Sequence, residues 1–318
     1  MRVTVLMPVY NGERYLERSI ASVVAQEVAD FEFVIVDDAS TDATPELLAK
    51  WAARDSRIVV LRQDQNLGAS SALNAGLAIA RGEYLARQDS DDLSLPGRLA
   101  RQVAALDANP AAVLVTLGRM LIDERGKRLG AAPHLVQPPE VIRLLLHFTP
   151  GAVGIPGQSM LRTEAVRAIG GWDASYRLSQ GWELAARLSK AGPFLSLPEL
   201  GMEYRVHGAR ASVRFHDEQV ANATRITRRM LSELLGREVT LEEAAASASV
   251  WFLDPRSGAA PAAARLWREA LARFPLAWRE RAIVRRIAAG RFARAAAFHA
   301  ARLRPRDVLQ HLSAAIRT

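Results

Sequence analysis

The feature that most constrains this chain is an alternation in its first 90 residues. A short run of branched apolar residues, a polar turn and a helical stretch follow one another three times, and a fourth run then opens. Val3 to Val9, Phe31 to Val36, Ile58 to Leu61 and Glu83 to Arg87 read as buried parallel strands, because both faces of each run are apolar. Between them, Leu16, Ile20, Val23 and Val24 recur at helical spacing. A second helix is predicted behind Asp42 and Thr44 with Pro45 at an early position, and a third over about 69 to 80. Strands and helices alternating at this spacing predict an α/β fold with a mostly parallel sheet flanked by helices, whose ligand site lies at the carboxyl ends of the strands. The polar clusters Pro8-Val9-Tyr10-Asn11-Gly12, Asp37-Asp38-Ala39-Ser40-Thr41-Asp42 and Asp89-Ser90-Asp91-Asp92 all fall at such ends.

The middle of the chain is less regular. The pattern predicts a helix over about 96 to 107, strands near 113 to 116 and 158 to 161, short helices near 163 to 169 and 180 to 190, and apolar pieces at 194 to 197 and 202 to 206. Beyond about residue 215 the sequence becomes Ala- and Arg-rich and helical, with breaks expected near Asp254-Pro255, Pro275, Gly290 and Pro305. The predicted division is therefore residues 1–215 and residues 216–318.

Asp89 and Asp91 carry the strongest chemical signal. In an extended segment residues i and i+2 point to one side, so the two carboxylates could meet a hard divalent cation, Mg2+ or Mn2+, of the kind that holds diphosphates. The competing reading is a solvated acidic loop before the next helix. Of Asp37 and Asp38, only one can face a cleft, where it could accept a hydrogen bond from a base or a ribose hydroxyl. Asp42 reads as a helix cap, and Tyr10 offers a ring on which a base could stack.

Taken in order, these clusters, with Asn66-Leu67-Gly68, Asn74-Ala75-Gly76, Arg81-Gly82-Glu83-Tyr84, Leu95-Pro96-Gly97-Arg98-Leu99, Gly170-Gly171-Trp172-Asp173 and Tyr204-Arg205-Val206-His207-Gly208, closely resemble the family 2 inverting glycosyltransferases over roughly residues 1 to 215. The resemblance implies the nucleotide-diphospho-sugar transferase fold called GT-A and a nucleotide-diphospho-sugar donor. It also implies a glycan or lipid-linked acceptor and a role in surface-polysaccharide assembly. Position by position, Pro8, Tyr10, Asp38, Asn66 and Asp89 match the nucleotide-sugar site. Asp91 matches the metal carboxylate, Asp89 lies near the metal as well, and His207 matches a position near the pyrophosphate or metal.

Two positions depart from the family pattern. Where the family commonly places a Glu-Asp pair whose Asp is the general base, this chain has Gln180-Gly181, and neither residue can take up the proton. Glu183 is the nearest substitute, although it lies roughly 200° around a helix from position 181. Leu73 stands where relatives often carry Arg. A catalytically impaired homologue that binds a nucleotide sugar or a partner is the alternative these departures raise.

Charge narrows the remaining classes. The chain has 42 Lys and Arg against 34 Asp and Glu, a net of +8. Residues 255–318 hold 14 Arg, no Lys and three acidic residues, an excess of 11, so the rest carries −3. No nucleic-acid-binding module accompanies that basic end, and an amphipathic surface for anionic lipid or a partner protein fits it better than nucleic acid. A solvated Arg-rich face is the plainer alternative. There is no cysteine, and no P-loop, zinc-protease or serine-hydrolase motif. Gly151, Gly154 and Gly157 do not form the dinucleotide fingerprint. The short apolar run before Pro8 is not a signal peptide and no stretch approaches the ~20 residues of a membrane span, so the expected location is cytoplasmic, with peripheral contact at the inner membrane face.

Overall fold

The computed structural model describes residues 1–28, 30–132, 136–149, 158–208, 215–252 and 260–300. The predicted strands form as β1 (Val3–Val9), β2 (Phe31–Asp37), β3 (Ile58–Arg62) and β4 (Tyr84–Arg87), all parallel, in the order β3-β2-β1-β4. All seven residues of β2 are buried, as a strand covered on both faces requires. The helices between them are α1 (Leu16–Val24), α2 (Thr44–Arg54) and α3 (Ala69–Ile79). Leu16, Ile20 and Val23 of α1 are buried against the sheet, each contributing about 1.5–3 kcal/mol of apolar burial. On α3, a Cβ at Gly76 would lie 2.2 Å from Leu6 Cδ1, so only glycine lets this helix approach β1 so closely.

The second half of the sheet is mixed. β5 (Leu93–Ser94), α4 (Arg98–Asp107), β6 (Leu114–Ile122) and β7 (Arg128–Ala131) are followed by α5 (Pro139–Leu145), β8 (Ser159–Arg162), α6 (Thr163–Ala168), α7 (Gln180–Leu188) and β9 (Phe194–Arg205). The full strand order is β3-β2-β1-β4-β8-β6-β9-β5, with β7 on β6. β8 enters antiparallel between β4 and β6, while β9 runs parallel to β6. The two apolar pieces predicted at 194–197 and 202–206 are one strand. Pro198, which cannot donate a ladder bond, falls where the register of β9 against β6 shifts, and this bulge breaks the alternation seen in the sequence. The antiparallel pair β5–β9 sets Leu93 opposite Glu203. The acidic turn before β5 and the residues after β9 are thereby brought to the same end of the sheet.

The described residues separate into two units. One holds residues up to 136 together with 158–208; the other holds 137–149 together with 215–300. Residues 137–149, which a division at 215 leaves with the sheet, pack among the C-terminal helices. Those helices are α8 (His216–Leu235), α9 (Leu241–Phe252), α10 (Ala260–Arg273) and α11 (Trp278–Ala300). α11 runs straight through Gly290, where a break was expected, because a helical glycine costs only about 1 kcal/mol and packing of Val284, Ala288, Phe292 and Ala295 outweighs it. The other expected breaks at 254–255 and 305, and Gly151, Gly154 and Gly157, lie outside the described residues. Thr240 and Glu243 form a reciprocal capping box at the start of α9. Phe148 packs edge-on against Trp267 at 4.9 Å between ring centroids.

His147 sits in this helical unit with its ring edge toward Phe274 and its Nδ1–H toward the carbonyls of Arg143 and Leu144, at 3.0 and 3.1 Å. Burial pushes its pKa down to about 4. The unfolded chain therefore binds a proton near pH 6.5 that the folded unit refuses until about pH 4. Stability falls by up to roughly 3 kcal/mol as pH drops through that window and is full above it. Urea unfolding at pH 7 and pH 4.5 should show the loss in the wild type and a smaller one in His147→Phe. Equal losses in both would mean that His147 is not its source.

Candidate functional site

Three loops converge at the carboxyl ends of the parallel strands. The β1–α1 and β2–α2 loops interlock through their backbones: Asn11 N donates to Ser40 Oγ at 2.9 Å, Thr41 N donates to Asn11 Oδ1 at 2.8 Å, and Gly12 N donates to Thr44 Oγ1 at 2.9 Å. Asn11 adopts φ 50°, a left-handed conformation in which Asn is several-fold enriched. The interlock leaves Pro8 half-buried and Tyr10 50 % exposed, its ring available for stacking. Asp42, expected as the helix cap, lies one residue before the N-cap of α2, which is Ala43, and its two oxygens accept from Thr44 N and Glu13 N. Burial opposes ionisation there, but those hydrogen bonds hold its carboxyl below the usual range.

Both acidic residues at the end of β2 are buried. Asp37 accepts from Ser40 N at 3.0 Å. Asp38 accepts from Leu67 N and Gly68 N, both at 2.8 Å, and so moulds the β3–α3 loop on which Asn66 is exposed. Each carboxylate oxygen of Asp38 retains a second lone pair. Asn74 holds the next turn, accepting from Trp172 N and donating to Trp172 O at 2.8 and 2.7 Å. Leu73, where the family resemblance implies Arg, is fully buried and part of the core.

The acidic segment is a turn, not the extended strand that would set Asp89 and Asp91 side by side. β4 ends at Arg87, and Asp92 N donates back to Asp89 O at 3.3 Å. Each carboxylate consequently meets its own partner. Asp89 pairs with Arg87 at 2.8 Å, Asp91 Oδ2 lies 2.9 Å from His207 Nε2, and Asp92 Oδ1 accepts from Arg205 N at 2.8 Å. Asp91 is 31 % exposed, and its Oδ1 has no hydrogen-bond partner among the described residues. His207 is held by Tyr15, with ring centroids 5.3 Å apart, and the same tyrosine ring lies under the Arg205 guanidinium at 4.5 Å. Arg205 is buried and donates to the carbonyls of Asp91 and Asp123 at 2.9 and 3.0 Å, fastening the turn to the loop after β6. Sequence reasoning marked His207 but missed Tyr15 and Arg205. The Arg beside the His in Tyr204-Arg205-Val206-His207 was the available signal.

Glu183, the substitute base expected from the sequence, is taken up by an ion pair. It is fully buried and bound by Arg187 through Nε at 2.8 Å and Nη2 at 2.6 Å. Arg187 also donates to Ile169 O and Gly171 O, so the pair ties α7 to the turn before Trp172. An i,i+4 spacing on a helix favours this pairing and turns the carboxylate away from the first turn of α7, where Gln180 and Gly181 lie. Asp173 accepts from Ser175 N at 2.8 Å in a local turn. Among the described residues no three His, Asp or Glu side chains form a metal cluster.

A parallel half-sheet with an acidic turn after its fourth strand, extended by a mixed half, defines a GT-A-type glycosyltransferase fold. Residues 4–170 match glycosyl transferase family 2, and the chain belongs to that family. Relatives include EpsE of Bacillus subtilis, 36 % identical over 54 % of this chain and 60 % of EpsE. Another is the succinoglycan biosynthesis protein ExoO of Rhizobium meliloti, 39 % identical over 44 % of this chain and 40 % of ExoO. The chain thus spans less than two thirds of either relative. In fold it is similar to Staphylococcus aureus TarS 1-349, solved in complex with UDP-GlcNAc, at TM-score 0.63 and 18 % identity over 99 % of this chain and 90 % of that one. The mannosyltransferase PcManGT of Pyrobaculum calidifontis, solved with GDP-Man and Mn2+, gives 0.58 and 19 % over 99 % and 86 %.

Proposed function

We propose that this chain transfers a sugar from a nucleotide-diphospho-sugar to an acceptor hydroxyl with inversion, in surface-polysaccharide or related glycan assembly. The observation that carries the reading is Asp91, part-exposed on a fixed turn at the carboxyl end of the sheet and held by His207. In the reaction the acceptor oxygen bonds to the anomeric carbon from the face opposite the leaving group. The carbon–phosphate-oxygen bond breaks with its electron pair, and the acceptor proton passes to a base. Tyr10, over Pro8, would stack on the base of the donor, with Asp38 and Asn66 bordering it and Asp89 near the ribose.

The donor set fits a divalent cation. One or two carboxylates suit Mg2+ or Mn2+, whose remaining ligands come from diphosphate oxygens and water. Asp91 would hold the ion, with His207 on its Oδ2 and Asp89, which pairs with Arg87, as the further carboxylate of the turn. Bound there, it would offset the negative charge that develops on the departing diphosphate.

Calorimetric titration with UDP, GDP and dTDP in the presence of Mn2+ tests the donor site, and absence of binding by all three and by further nucleoside diphosphates would sink it. Gln180-Gly181, with Glu183 locked to Arg187, favours a second reading in which donor binding persists while transfer is weak. Gly181→Asp separates the two. On the impaired reading it raises transfer or donor hydrolysis by about 10²-fold or more, whereas a wild type that already turns over at typical rates rejects impairment.

We place the enzyme at the cytoplasmic face of an anionic membrane, where a lipid-linked acceptor would reside. No helix among the described residues is long and apolar enough to cross a membrane. The exposed face of α11 carries Arg279, Arg285, Arg286 and Arg294, with Trp278 75 % exposed at its start. Each such arginine contributes about 1 kcal/mol near an anionic surface, and Trp anchors at the headgroup level. The full chain should co-sediment with phosphatidylglycerol vesicles and not with phosphatidylcholine alone, and Trp278→Ala with Arg285→Glu and Arg286→Glu should abolish it. Equal sedimentation with both lipids would remove the membrane from the account.

A further inference from the structure

Beneath the acidic turn lies a cation that the transfer chemistry does not use. Gly97, at φ 72°, turns the chain so that Arg98, the first residue of α4, points into the protein, where it is fully buried. None of its hydrogen bonds goes to a carboxylate. Nε donates to Gln102 Oε1 at 3.2 Å, Nη1 to Gln88 Oε1 at 2.7 Å and Ser94 Oγ at 2.9 Å, and Nη2 to Arg87 O at 2.5 Å. Burying a guanidinium without an ion pair costs several kcal/mol, so neighbouring negative potential must offset it. The carboxylates acting on it are those of Asp92 and Asp89, and burial lowers its pKa only to about 10, which leaves it charged at neutral pH.

The consequence runs through Gln88, itself fully buried. A guanidinium only donates, so it fixes the amide oxygen of Gln88 toward itself and turns the amide nitrogen the other way. That nitrogen donates to Asp89 O at 3.1 Å and Asp92 O at 2.9 Å, the carbonyls at the two ends of the turn. With both carbonyls drawn inward, the chain between them is pinned, including Asp91. Arg87, whose carbonyl Arg98 grips, also holds the Asp89 carboxylate.

We propose that Arg98 is a positioning residue for the donor site: a buried cation that, through Gln88 and the Arg87 carbonyl, holds the Asp89–Asp92 turn in the form that takes a divalent cation with a nucleoside diphosphate, and offsets the charge of its clustered carboxylates. This rests on the donor-site reading above. Stability alone does not report the role, because removing Arg98 also leaves Gln88 Oε1, Ser94 Oγ and the Arg87 carbonyl short of a buried donor, a loss that any buried arginine would show. Lysine keeps the charge but cannot fork to Gln88 and the Arg87 carbonyl together.

The test uses the full chain and calorimetric titration of UDP and GDP with and without MnCl2, beside thermal unfolding. In Arg98→Met the gain in nucleotide affinity that Mn2+ brings should fall about 10–100-fold, the range for a residue that orients a metal ligand. Arg98→Lys should recover part of it. A folded Arg98→Met with the wild-type Mn2+ gain overturns the proposal. If Arg98→Met does not fold, Gln88→Met carries the same expectation and the same overturning result. Wild type that binds no nucleoside diphosphate would fail the donor-site reading itself, an outcome distinct from a wild-type gain that survives substitution.

Discussion

Asp91→Asn lowers kcat/KM for sugar transfer, and for donor hydrolysis, by about 10²–10³-fold, the cost of removing a group that helps stabilise charge developing in the transition state. The change deletes one negative charge and keeps the side-chain shape, so the hydrogen bond across 2.9 Å to His207 can be retained by the amide oxygen. Asp91 is 31 % exposed, and beyond His207 its carboxylate has no hydrogen bond or ion pair among the described residues. The unfolding midpoint should therefore move little, which separates this loss from misfolding. The measurement is initial rates with Mn2+ and whichever nucleotide sugar binds. Wild-type rates in the variant would remove Asp91 from the donor site.

Glu183→Gln has the opposite signature. It destabilises the sheet unit by about 3–5 kcal/mol, because it strips the counter-charge from Arg187, which is three-quarters buried and fixed by two backbone carbonyls. The damage spreads along a defined route: Arg187 holds the Gly170–Gly171 turn, Asn74 holds Trp172 to α3, and Ser70 reaches Tyr176 O at 3.1 Å. Urea unfolding reads the loss as a lower midpoint. A Glu183→Gln protein as stable as wild type and devoid of transfer would instead make Glu183 the base.

The two variants divide what the sequence offered as one site. Asp91 and Glu183 were both carboxylates in family motifs, and nothing in their local spacing told the exposed one from the locked one. Similarly, Asp89 and Asp91 would share a face if their segment were extended. The backbone bond from Asp92 to Asp89 closes a turn instead, and each carboxylate takes a separate partner. Arg98 and Arg205 stood inside motifs that were legible, yet their burial and their reach to the acidic turn depend on α4 and β9, far apart in the chain.

The sequence by itself determined the parallel half-sheet, since apolar runs, helical spacing and turn residues are local patterns, and it determined which polar clusters lie at the strand ends. It also puts glycine at position 181, where the family resemblance implies a carboxylate. Only the tertiary structure decided that β8 enters antiparallel, that residues 137–149 join the C-terminal helices, and which acidic side chain stays accessible. Strand pairing sets Leu93 opposite Glu203, and from that register follow the contact of His207 with Asp91 and the fastening of the turn by Arg205. Such contacts join residues more than a hundred positions apart, and their free energy depends on burial and hydrogen-bond geometry that no local pattern contains.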